Sequence, residues 1–359
     1  MTRGDGPMTQ RTPDFMRLPD LASRALGGSV MATNDDFFAD VHSLLTPGPP
    51  AHDPSAFGPR GKIYDGWETR RRRDPGPDSA DFVLVRLAVP GVVRGVDVDT
   101  THFKGNYPPQ ASVEATTLLG YPNVDELLAG EWISLIDKAD LAGDSSNPLP
   151  VQVPDRLVTH IRLRIHPDGG VARLRVFGDV VPDPRRLGGR VDLAALRHGA
   201  VIDSCSNMFY ASPANAISPG RATVMSDGWE TARRRDDGND WLVVRLAVPG
   251  VLHEAVLDTS RFVGNAPGAA RLTDAETGAE LLPRTRLLPD TEHVLRTAAA
   301  HPVRLVRLVR LDIYPDGGIS RLRLRGTVPA ELHDGIAHRW LDLLPREQAD
   351  RVDPSEFFA

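Results

Sequence analysis

Asp65-Gly66-Trp67-Glu68-Thr69 recurs as Asp227-Gly228-Trp229-Glu230-Thr231, 162 positions later, and each copy runs on into arginines, Arg70 to Arg73 and Arg233 to Arg235. The chain holds only 5 tryptophans, so a shared Trp-centred pentapeptide speaks for duplication. Working outward, Val85-Arg86-Leu87-Ala88-Val89-Pro90-Gly91 returns as Val244-Arg245-Leu246-Ala247-Val248-Pro249-Gly250 at an offset of 159. Asp99-Thr100 with Phe103, Gly105 and Asn106 returns at the same offset as Asp258-Thr259 with Phe262, Gly264 and Asn265. Pro167-Asp168-Gly169-Gly170 followed by Arg173-Leu174-Arg175 returns 148 positions on, and Phe37-Phe38-Ala39 matches Phe209-Tyr210-Ala211 at 172. Order is kept while the offset shrinks, so the chain is one duplicated module with loop deletions in its second copy. A unit of about 150 residues is a domain rather than a solenoid repeat.

Inside each copy the apolar residues recur with period two. Val83 to Val89 and Trp241 to Val248 read as strands, each stopped by Pro-Gly. Ile161, Leu163 and Ile165 alternate with arginines, and the alternation resumes at Arg173 after Pro-Asp-Gly-Gly, which predicts a β-hairpin. Gly 32 and Pro 31 suit a turn-rich β protein. The expected fold is all-β: two tandem homologous β-sandwiches of jelly-roll type, with short helices in the linker and at the C-terminus. The expected divisions are a flexible tail over 1–28, a first repeat over 29–182, a linker over 183–199, a second repeat over 200–328, and a C-terminal helix and tail over 329–359, where Leu332, Ile336 and Trp340 have near-helical spacing.

With 359 residues, 42 basic and 48 acidic side chains give a net charge of -6, which lacks the bulk electrostatics of a nucleic-acid binder. The lone Cys205 rules out an internal disulfide or thiolate metal cage and reads as a small buried residue. No signal-like or membrane-length apolar run is visible, so no membrane partner and a cytoplasmic location are expected. The 11 histidines show no H-x-x-x-H or H-E-x-x-H spacing. No cofactor is expected, and divalent-metal dependence and assembly into a homo-oligomer are left open. Nucleophile-elbow, P-loop and dinucleotide-binding motifs are missing as well.

Two polar stretches carry candidate chemistry. Beside the repeated Trp, Asp65 and Glu68 offer carboxylates, while the arginines offer planar forks for a carboxylate ligand. Asp99-Thr100-Thr101-His102-Phe103-Lys104-Gly105-Asn106 is dense in polar groups next to a strand. There His102 can move a proton, Asp99 can orient its imidazole, and Lys104 and Asn106 can hold an oxyanion or carbonyl. Copy two has Arg261 and Val263 in place of His102 and Lys104, so its loop reads as degenerate.

Taken in order, D-G-W-E-T-R-R-R-R at 65–73, D-T-x-H-F-K-G-N-Y-P at 99–108 and P-D-G-G-[VI]-x-R-L-R resemble the allantoicase family over roughly residues 33–326. The resemblance implies tandem jelly-roll modules of the galactose-binding type. It also implies a hydrolase acting on carbon–nitrogen bonds of linear amidines and ureido compounds, which splits allantoate into ureidoglycolate and urea in allantoin and purine degradation. Allantoate is a small carboxylate with two ureido groups on one carbon, so it needs an anion clamp, donors for urea oxygen and an acid/base pair. The expected catalytic residues are Glu68, His102 and Asp99. The expected substrate-binding residues are Asp65, Arg70, Arg71, Lys104 and Asn106, with Asp227, Glu230, Arg233 and Arg234 in copy two. The competing reading is a non-catalytic jelly-roll module that holds a small anion or sugar. With 6% aromatic residues and both repeated tryptophans in corner positions, that reading has little to build on.

Overall fold

The computed structural model describes residues 12–73, 75–297 and 304–359. Each module is organised by one 19-residue strand, Asp81–Asp99 in the first and Asp240–Asp258 in the second. The first half of Asp81–Asp99 pairs antiparallel with Val158–His166 and Ser29–Thr33. Its second half pairs with Arg173–Val180 and Pro148–Pro150. Gln110–Thr116 and Ile133–Asp140 extend the first layer. The second module repeats this plan around Asp240–Asp258, with Val306–Tyr314 and Val201–Cys205 on one half and Arg321–Thr327 and Glu292–Arg296 on the other. Both modules are antiparallel jelly-roll-type sandwiches with apolar residues facing inward, among them Val83, Val85, Val96, Ile161, Leu163, Leu174 and Val176 in the first.

Two expectations about local connection are corrected. Pro90-Gly91 and Pro249-Gly250 do not stop their strands. Pairing shifts between Arg86 and Gly91, and between Arg245 and Gly250. A proline has no N–H to give, so it sits where one strand leaves the first layer and bends into the second. The Ile161 to Val176 segment is likewise no hairpin: its two strands pair with opposite halves of Asp81–Asp99, and the Pro-Asp-Gly-Gly turn carries the chain between layers. Gly169 has φ 144 and lies so close to Pro108 that a Cβ would stand 2.6 Å from its nitrogen. Only glycine fits there.

The expected tail over 1–28 also changes character. Residues 1–11 lie outside the described residues, but Leu21 and Ala22 are fully buried. Leu21 donates its N–H to Val176 O and accepts from Ala88 N–H, both at 2.7 Å. In the stretch expected to be a linker, Leu193 does the same with Leu324 O and Ala247 N–H, at 2.8 and 2.9 Å. Asp20-Leu21-Ala22 and Asp192-Leu193-Ala194 are therefore the opening segments of the two modules. The helix His333–Asp342 folds back across the first module, where Trp340 is buried with Val92, Leu157 and Val181, and Leu157 N–H donates to Leu343 O at 2.8 Å.

One titration is built into this frame. His160 is 2% exposed, and burial together with the charge of Arg86 lowers its pKa to about 4. A base with a depressed folded pKa stabilises the fold above its unfolded pKa, and that contribution is lost as pH falls. Between pH 6.5 and 4 the fold is expected to lose up to about 3 kcal/mol from this residue. Guanidinium denaturation at stepped pH checks it: His160→Gln should flatten that part of the curve, and an unchanged acid slope would refute the assignment.

Candidate active site

Trp67 and Trp229 are buried corner plugs. Their indole N–H groups donate to Asp35 O at 2.7 Å and Asn207 O at 2.9 Å. The two-residue strand Trp67–Glu68 pairs with Gly170–Val171, and Trp229–Glu230 with Gly318–Ile319. This short ladder brings the Glu of the Trp motif beside the Pro-Asp-Gly-Gly turn. Thr69 Oγ1 accepts the Gly169 N–H at 3.2 Å, and Asp168 accepts the Arg72 N–H at 2.8 Å.

In module one these segments wall a cleft of about 590 Å³, with Glu68, Arg71, Arg73, Asn106, Tyr107 and Asp168 in its lining and Phe37 and Phe38 at its side. Asn106 Nδ2 donates to Glu68 Oε1 at 2.8 Å. Burial raises the Glu68 pKa, and the Asn106 bond only partly offsets this. The result is a carboxyl that keeps its proton to higher pH than a solvated glutamate, beside a carboxamide and several guanidinium groups. Arg71 and Arg73 are exposed and make no ion pair among the described residues. Arg70 is already engaged: its Nε donates to Asp35 Oδ2 at 2.6 Å, and its guanidinium lies over Phe37.

A second, smaller pocket of about 350 Å³ adjoins the cleft through Gly105 and Asn106. It holds His102 and Lys104, together with His52, Lys62 and Tyr64. The His52 and His102 rings stack at 4.7 Å, and Lys104 Nζ lies 3.7 Å from Asp144. His102 has φ 73, and its N–H donates to Asp144 Oδ1 at 2.7 Å. Arg261 in copy two has the same φ and donates to Asp290 at 2.8 Å, so the backbone bend is shared while the side-chain chemistry is not.

Several expected site residues are occupied elsewhere. Asp99 accepts the Thr101 N–H at 2.8 Å in a turn of its own and makes no bond to His102. Asp65 is paired with the buried Arg173, at 2.6 Å to Oδ2 and 3.1 Å to Oδ1. Partial burial alone would raise the Asp65 pKa, but the Arg173 and Ala51 bonds hold it low. Asp227 caps its own loop through Thr223 and Val224. Arg234, the counterpart of Arg72, is tied to Asp236 and Asp240, as Arg72 is tied to Asp81. All four side chains are engaged by these partners in this fold.

Copy two keeps the central pair, since Asn265 Nδ2 donates to Glu230 Oε1 at 2.6 Å. Arg233 is exposed there, and Ala232 replaces Arg70. Thr69, Tyr107, Asp168 and His52 also line these pockets and are not among the site residues expected from the sequence. The repeated Phe37-Phe38 and Pro-Asp-Gly-Gly blocks were the available signal for this corner. Cys205 is partly buried, which raises its thiol pKa, so it is a poor nucleophile. Among the described residues no three His, Cys, Asp or Glu side chains are grouped to hold a metal ion, and no helix is long and apolar enough to cross a membrane.

Fold and site together define a tandem jelly-roll protein with a glutamate–carboxamide pair and arginines facing a small polar cleft. The family model described as Allantoicase repeat matches residues 19–181 and 191–329, which takes in both opening segments. A Nocardia farcinica protein named "Probable allantoicase" is 54% identical over 318 residues, 87% of this chain and 95% of that protein. A Streptomyces avermitilis protein of the same name is 46% identical, covering 95% of this chain and 94% of its own. The crystal structure of allantoicase from Saccharomyces cerevisiae aligns with TM-score 0.74 and 33% identity, covering 86% of this chain and 92% of that one. The chain belongs to the allantoicase family.

Proposed function

We propose that this chain hydrolyses allantoate to ureidoglycolate and urea in the module-one cleft. The observation that carries this reading is the half-buried Glu68, with its pKa raised by burial, bonded to Asn106 and facing Arg71 and Arg73. The arginines take the substrate carboxylate, and the Asn106 carboxamide takes a ureido group. Glu68 gives its proton to the departing ureido nitrogen as the bond to the central carbon breaks, so urea leaves neutral. Water then adds to that carbon, its hydroxyl completing ureidoglycolate and its proton returning to Glu68. His102 and Lys104, in the adjoining pocket, act on the second ureido group rather than on the breaking bond.

Urea release from allantoate by the purified chain tests the reading, and absence of turnover by folded protein would overturn it in favour of a binding module. Each of these two arginines has its own expected effect. Arg71→Gln and Arg73→Gln should each raise KM by about 10- to 100-fold with a smaller change in kcat, the loss of one charge-assisted hydrogen bond. An unchanged KM in both variants would place the carboxylate elsewhere.

A further inference from the structure

Between the two modules lies another polar cavity, remote from the Glu68 cleft in its lining and about 580 Å³ in volume, within the range of small-ligand pockets. Its walls come from the first-module strand at Arg86 to Pro90, the segment Leu118 to Tyr121, the connecting residues Asp183 and Arg185 to Leu187, Arg197 and His198 of the second module, and Trp340 of the C-terminal helix. The charge there is one-sided. Arg86, Arg185, Arg186 and Arg197 face it with His160 and His198, against one carboxylate, Asp183. That carboxylate is already in use, paired with Arg185 at 2.8 Å and 3.8 Å from Arg186.

Comparing the two copies shows that the arrangement is specific to this place. Arg86 and Arg245 occupy the same position of the repeated Val-Arg-Leu-Ala-Val-Pro-Gly strand. Arg245 pairs with Asp203 at 2.8 Å. In module one Met31 stands where module two has Asp203, and Arg86 has no ion-pair or hydrogen-bond partner among the described residues. Across the ladder Arg86 faces His160, whereas Arg245 faces the apolar Leu308. His160 is 2% exposed, yet its Nε2 has no hydrogen-bond partner, and the buried Nδ1 of His198 has none either. Buried polar atoms are satisfied in the great majority of cases, so two orphans on one cavity wall, beside an arginine stripped of its acid, mark a place shaped for a ligand.

We infer that this inter-module cavity binds a small oxyanion, a phosphate or a carboxylate, held by Arg86 and Arg197 with hydrogen bonds from the His160 and His198 side of the wall. Because the walls belong to both modules and to the C-terminal helix, the bound anion ties them together and stabilises the chain by linkage. The inference does not depend on which reaction the Glu68 cleft performs.

Calorimetric titration and thermal unfolding of the full chain with inorganic phosphate, and separately with succinate, test it. At least one anion is expected to bind with one site per chain and to raise Tm, and whichever binds more tightly identifies the class. Arg86→Gln and Arg197→Gln should each weaken that binding at least tenfold. Neither residue has a structural ion pair among the described residues, so both variants are expected to fold, with circular dichroism as the check. Arg71→Gln, in the other cleft, should leave it unchanged. Failure of both anions to bind, or weakening by Arg71→Gln equal to or greater than that by Arg86→Gln and Arg197→Gln, would overturn the inference.

Discussion

Glu68→Gln is expected to slow urea release from allantoate by roughly 10²- to 10⁴-fold, the usual worth of a positioned general acid. Glutamine keeps the size of the side chain and can still bond to Asn106, so cleft shape and KM should change little. What it lacks is a carboxyl proton to give, which burial lets Glu68 keep to higher pH than a solvated glutamate. Since the folded pKa is raised, the wild-type rate should persist further toward high pH than a solvated glutamate would allow, then fall as Glu68 ionises. In Glu68→Gln that descending limb should vanish from the residual activity. The companion variant Glu230→Gln makes the same change in module two, where Asn265 bonds to Glu230 and where Ala232, Arg261 and Val263 replace Arg70, His102 and Lys104. It should keep more than half of the activity. If Glu230→Gln is the crippled variant and Glu68→Gln is not, the reacting site lies in the second module.

Module number and β class were open to sequence reading because duplication and period-two alternation are local patterns. Strand partners were not. Alternation says that Ile161 to Ile165 and Leu174 to Val176 each line a core, but not that they sit in different layers. The Pro90 bend shows the same limit, since a proline that ends a strand and one that lets a strand change sheet look alike in sequence. Asp20-Leu21-Ala22 and Asp192-Leu193-Ala194 were too short to stand out among prolines and mixed charges. The Glu68–Asn106 hydrogen bond joins two residues that the sequence marks separately, each within a long repeated motif. Asp99, Asp65, Asp227 and Arg234 read as site residues in the sequence because an Asp that caps a turn, or an Arg that braces one, carries the same letter as one that meets a substrate. Their partners decide the role, and for Asp65 that partner lies 108 positions away.

Asp65→Ala is therefore expected to act on stability rather than on chemistry. Arg173 is 1% exposed, and Asp65 supplies the charge that balances it. Removing one partner of a buried pair typically costs 3–5 kcal/mol, because the other charge is left in a medium that solvates it poorly. Arg173 keeps carbonyl acceptors at Gly48, Pro49 and Ala172, and Asp65 is itself 31% exposed, so the lower end of that range, about 3 kcal/mol, is expected. Module two supplies the control. There Arg321 donates to the backbone oxygens of Asp227, Gly220 and Ser320, and the Asp227 carboxylate caps Thr223 instead. Asp227→Ala should thus cost only about 1 kcal/mol, the worth of a lost cap. Guanidinium denaturation measures both, and urea-release kinetics well below the transition separates the two roles of Asp65. A folded Asp65→Ala protein with near-normal kcat and KM but a lowered unfolding midpoint supports the brace. A normal midpoint with KM raised tenfold or more would return Asp65 to the substrate.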